Sequence, residues 1–172
     1  MKTAPFVLAS LLCALLPAPA GAIEVPQTRR EFVKVVAAGA RGVAMETFVA
    51  DQGFEPTYRL LQKKAAACLD VQINRSGFVG NQMEVSSSDY NPTLRRTGAG
   101  AAEFTLQVVH RPRGLGHTPP PGGLYVMAAD LKTLPGGRTE VVLYRPTIGF
   151  KTIVKSFKEW LAGEDAGCPK IR

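Results

Sequence analysis

GFKTIVKSFKEWL, residues 149–161, is the stretch from which the fold is read. Phe150, Ile153, Val154, Phe157 and Leu161 recur at i, i+3, i+4, i+7 and i+11, which is one face of an α-helix. Lys151, Lys155 and Lys158 fall on the other face with Glu159 beside them, and Gly163 follows where helices commonly end. A helix with so apolar a face needs a surface to cover. The chain before it, from about Leu69 to Pro146, supplies one, because it reads as β-strands.

Ala102 to Arg111 alternates most cleanly, with Phe104, Leu106, Val108 and His110 against Glu103, Thr105 and Gln107. Leu124 to Leu131 and Thr139 to Tyr144 flank Pro135-Gly136-Gly137, a hairpin signal. Both are apolar on two faces, so they should be central or covered twice. Leu69 to Arg75 alternates Leu69, Val71 and Ile73 against polar residues, and Gly77 to Asn81 is expected to turn the chain. Gln82 to Ser88 follows as a more polar strand, with Met83 and Val85 expected inward. Pro92 is expected to interrupt it, leaving Thr93 to Thr97 as a short edge segment.

Two helices and a strand precede this block. Thr28-Arg29-Arg30-Glu31 fits a capping box, and Phe32, Val35, Val36 and Ala40 then share a narrow apolar face. Val43 to Ala50 alternates as a strand. Pro56 opens a second helix, with Tyr58, Leu61, Ala65 and Cys68 at helical spacing. The expected class is α+β: an antiparallel sheet of five to six strands packed on a long C-terminal helix, with N-terminal helices.

Residues 1–22 are set apart from residues 23–172, which read as one α+β domain. Lys2 supplies a positive start, Phe6 to Leu16 an apolar run and Ala20-Gly21-Ala22 a small-x-small cleavage site, the pattern of a cleaved secretory signal. Leu12 before Cys13 does not suit a lipobox. The apolar run is too short to span a membrane, and no second run follows it. A periplasmic or secreted protein is expected. Loss of Lys2 would lower the net charge from +7 to +6. A basic balance suits anionic partners or simply a solvated surface, and export makes nucleic acid an unsuitable partner. Cys68 and Cys168 then form the even pair expected to bond in an oxidising compartment. Arg113 to Gly123, rich in Pro and Gly, is a loop, either a lid or an insertion.

The stretches METFVAD (45–51), FEPTYRLLQKKAAACLD (54–70), the strand block and FKTIVKSFKEWL (150–161) together resemble helix-grip folds. START-like lipid-binding domains and the domains of an outer-membrane assembly lipoprotein have this layout. The resemblance is one of topology and carries no functional residue across. It implies a long last helix gripped by the sheet and, where lipids are bound, a cavity between the two.

No catalytic set stands out. His110 and His117 are too few for a four-ligand zinc site once the cysteines are bonded. Ser87, His110 and Asp130 form a triad only on paper, and there is no G-x-S-x-G elbow. No cofactor is expected. Two readings follow. The first is a non-catalytic cell-envelope protein that mediates protein interactions, with Lys151, Lys155 and Lys158 as its partner surface. The second is a carrier of a small apolar or lipid ligand in a cavity lined by Phe104, Leu106, Val126, Phe150 and Phe157. Tyr125, Tyr144 and Trp160 are further aromatics that either line such a space or fill it. The partner is then an envelope protein or a lipid.

Overall fold

Nine elements follow one another in the computed structural model, which describes residues 25–112, 118–164 and 166–171, the side chain of Val79 excepted. The expected signal segment and His117 lie outside the described residues. The elements are α1 (Arg29–Ala37), β1 (Val43–Gly53), α2 (Phe54–Cys68), β2 (Val71–Val79), β3 (Gln82–Gly98), β4 (Ala101–Arg111), β5 (Leu124–Thr133), β6 (Arg138–Pro146) and α3 (Lys151–Leu161). The six strands form one antiparallel sheet in the order β1-β6-β5-β4-β3-β2. Short turns join β2 to β3, β3 to β4 and β5 to β6, the longer connection 112–123 joins β4 to β5, and β1 lies at the far edge beside β6. The class is α+β, with three helices, the last of them C-terminal.

The two faces of the sheet are covered unequally. On one, α2 and α3 press Leu61, Cys68, Ile153, Phe157, Trp160 and Leu161 onto Phe104, Leu106, Val108, Val141 and Leu143. On the other, α1 lays Phe32 and Val36 against Ala128 and Tyr144. Because β5 and β6 lie between both layers, they are apolar on both faces. Each large side chain buried this way contributes roughly 1.5–3 kcal/mol before chain entropy is set against it. The helix α3 has 11 residues and α2 has 15, so the last helix is not the longest.

The N-terminal helix is anchored. Thr28 Oγ1 accepts from Glu31 N–H at 3.2 Å, and Gln27 N–H donates to Glu31 Oε2 at 2.8 Å, so the carboxylate reaches one residue past the cap. Arg29 then ties the helix to the sheet, donating to Asp130 Oδ1 at 2.5 Å, the Ala129 carbonyl at 3.1 Å and Thr105 Oγ1 at 3.2 Å.

The strand β3 departs from expectation. It is one strand of 17 residues that runs through Pro92. Pairing with β2 ends at Tyr90, so beyond that residue one edge of β3 has no strand neighbour among the described residues, and a proline fits such an edge. The chain does not turn at Gly77, because β2 continues to Val79 and only Gly80 and Asn81 make the turn. Met83 and Val85 do not point inward. They are 63% and 61% exposed, on the same side as Phe78, in a two-stranded ribbon that outruns β4. The inward positions are Ser86, Ser88 and Tyr90. Hydrophobicity alone selects the wrong parity, because among the described residues no helix covers this ribbon.

Candidate functional site

Two grooves flank the start of α3, one on each side of the Thr147–Phe150 connection. The first, of about 350 Å³, is lined by Arg145 and Thr147 from the end of β6 and by Lys151, Val154, Lys155 and Lys158 along α3. Helical spacing puts 151, 155 and 158 on one side, and the β6–α3 connection folds Arg145 back beside them. Glu46 of β1 sits among these cations. It accepts from Arg145 Nε at 2.6 Å and from Lys158 Nζ. Partial burial opposes ionisation of Glu46, but the hydrogen bonds and charges of Lys158 and Arg145 together outweigh it and hold its carboxyl below the ordinary value. Lys155 lies 3.4 Å from Glu159, one helical turn on. Four cations therefore face two carboxylates. Of the three lysines expected as a partner surface, Lys151 and Lys155 are exposed, while Lys158 is partly buried and engaged by Glu46. Beside the groove Ile148 is 80% exposed.

The second groove, of about 380 Å³, opens where the β2–β3–β4 end of the sheet meets the first turn of α3. Arg75, Ser86, Ser88, His110, Tyr90 and Phe150 line it. The ladder pairs Arg75 with Ser86 and Ser88 with His110, so these side chains share the α3 face. Ser88 Oγ and His110 Nδ1 share a hydrogen bond of 2.9 Å. Phe150 is the N-cap of α3 in the left-handed region, φ 50°, and its ring meets Tyr90 edge-on with centroids 6.4 Å apart.

The paper triad is not assembled. Ser87 lies on the opposite sheet face from His110, and the histidine pairs with Ser88 instead. Asp130 is also on the far face, where it accepts from Arg29 and, at 3.0 Å, from the Tyr144 hydroxyl. Among the described residues no three His, Cys, Asp or Glu side chains come together to hold a metal. No helix among them is long and apolar enough to cross a membrane.

Of the residues expected to line an interior cavity, Phe104, Leu106 and Phe157 are wholly buried and Val126 is nearly so, with the Phe104 and Phe157 rings 5.0 Å apart. Phe150 alone of the five lines a groove described above. Cys68 and Cys168 are bonded, 100 residues apart in sequence. The tail that carries Cys168 runs back along α3, where Trp160 Nε1 donates to the Ala166 carbonyl at 3.0 Å. It passes Thr152 and brings Ile171 to the rim of the second groove.

Sequence reasoning missed Arg145, Glu46, Arg75 and Ser88. Parity joins Ser86 and Ser88 to Tyr90 when Tyr90, rather than Met83 and Val85, sets the inward face. Nothing in the one-dimensional pattern pairs Arg145 with Glu46, 99 residues away. Compared with known proteins, the chain matches no family model, no curated protein and no solved structure.

Proposed function

We propose that this chain is a non-catalytic protein of the cell envelope, exported by its N-terminal segment, that docks an acidic segment of a partner protein on the outer side of α3. The observation that carries the reading is the convergence of Arg145, Lys151, Lys155 and Lys158 on one groove in which Glu46 and Glu159 leave an excess of positive charge. Exposed Ile148 beside it supplies an apolar anchor, and interfaces commonly combine such an anchor with a charged rim. We read the element order as a helix-grip arrangement in which α3 is held against the sheet with its cationic side outward. Full burial of Phe104, Leu106 and Phe157 favours a filled interior, and so supports docking over an interior carrier.

The test has two steps. A photo-crosslinking residue at position 148 identifies the envelope partner, and surface plasmon resonance with that partner measures rates. Lys151→Glu combined with Lys155→Glu should slow association about tenfold at low salt, and added salt should slow the wild type. Lys158 is left intact, because reversing it would also strip Glu46 of its partner. An association rate indifferent to both changes would sink this surface.

A further inference from the structure

We propose that the second groove, at the meeting of β2, β3, β4 and the start of α3, binds an amphipathic anion: a single carboxylate or phosphate head on an apolar body. The site is separate from the lysine-lined groove, and the inference does not rest on the docking reading. Its volume, about 380 Å³, falls in the range of small-ligand sites, roughly 300–1,000 Å³.

One end of the groove suits an anionic head. Arg75, Ser86, Ser88 and His110 bring a guanidinium, two hydroxyls and an imidazole to one sheet face, and among the described residues no carboxylate lines the groove. Asp89, adjacent in sequence to Ser88, faces the other way and lies 3.1 Å from Arg111. Among the described residues no Asp or Glu forms an ion pair with Arg75, so its charge is available. The helix α3 begins at this groove with no side-chain cap on its first N–H groups. Uncapped N–H groups and the helix dipole both favour negative charge there.

The other end suits an apolar body. Tyr90 and Phe150 meet edge-on, and Ile153 and Ile171 complete the wall. A non-glycine residue at φ 50° is uncommon, and here the conformation holds the Phe150 ring at the groove. A purely polar anion would leave that wall wet. An uncharged lipid would leave Arg75 without a counter-charge.

Isothermal titration calorimetry of the disulfide-bonded protein tests this with four probes at monomeric concentrations: laurate, dodecyl phosphate, dodecanol and acetate. At least one of the two long-chain anions should saturate a single site. Dodecanol and acetate should each bind at least about tenfold more weakly. Tighter binding of laurate would point to free carboxylate lipids, and tighter binding of dodecyl phosphate to phosphate monoesters. Arg75→Gln should weaken the preferred probe about tenfold or more without moving the thermal midpoint, since this side chain is exposed. Phe150→Gly, which suits the left-handed cap, should weaken laurate or dodecyl phosphate but not acetate. The proposal is overturned if neither anion saturates, if dodecanol matches them, or if folded Arg75→Gln binds as tightly as the wild type.

Discussion

Tyr144 illustrates what a single position can do. Its ring is 7% exposed under α1, and its hydroxyl donates to Asp130 Oδ2 at 3.0 Å. Burial, and then the nearby Asp130 charge, push the phenol up to about 12 from its ordinary 10.0. The neutral phenol is therefore favoured in the folded state. Below pH 10 both states hold the proton and the stabilisation is complete. Between about pH 10 and 12 the unfolded chain loses its proton first, so stability falls with rising pH, by roughly 2–3 kcal/mol in all. Urea unfolding midpoints from pH 9 to 12 should show this decline, and Tyr144→Phe should lose that part of it. A Phe variant with an unchanged alkaline slope would remove Tyr144 as the cause. The sequence places Tyr144, with Tyr125, in the space between sheet and last helix, whereas both pack on the other face under α1, and it shows Asp130 as one carboxylate among many. The bonds of Asp130 to Tyr144 and to Arg29 depended on the register of β5 with β6 and on where α1 lands.

At the scale of elements, the lesson is in α3 and β3. The α3 periodicity is strong because one side of that helix is fully buried, so pattern and structure coincide: Ile153, Val154, Phe157 and Leu161 are all buried. Phe157→Asp should accordingly abolish cooperative thermal unfolding, since it puts an unpaired charge against Phe104. In β3 the pattern is weak because its first residues, Gln82 to Ser86, pair with β2 alone and leave Met83 and Val85 exposed. Met83 is 63% exposed there, and Met83→Thr should change the unfolding free energy by no more than about 0.5 kcal/mol. Circular dichroism melts of the two variants decide between the observed parity and the opposite one, in which Met83→Thr would be costly. Pro92 read as a break because a proline lacks an N–H. Whether that matters depends on which strands lie alongside, and that is not local information.

For the molecule as a whole, the Cys68–Cys168 bond joins the end of α2 to a tail that has already passed α3, closing a loop across a sequence separation of 100. The chain-entropy model assigns roughly 4–5 kcal/mol to such a closure as an upper figure. Replacing both cysteines by serine should lower the unfolding free energy by about 2–5 kcal/mol in guanidinium titrations, and reductant should do the same to the wild type. Equal midpoints with and without reductant would show that Trp160, Lys64 and Thr152, which all hydrogen-bond carbonyls of the tail, hold it without the bond.

By itself the sequence determined the class, the turn at Pro135–Gly137, the apolar side of α3, the double covering of β5 and β6, and the cysteine pairing. Each rests on local periodicity, on turn chemistry or on there being two cysteines after the leading segment. Only the tertiary structure decided that β3 runs through Pro92, that α1 is fastened by Arg29, that Arg145 joins the α3 lysines around Glu46, and that Arg75, Ser88 and His110 share a groove with Phe150. These are cross-strand and cross-layer neighbours. Their proximity is set by ladder register and by which sheet face a helix covers, and neither leaves a mark on residues next to each other in the chain.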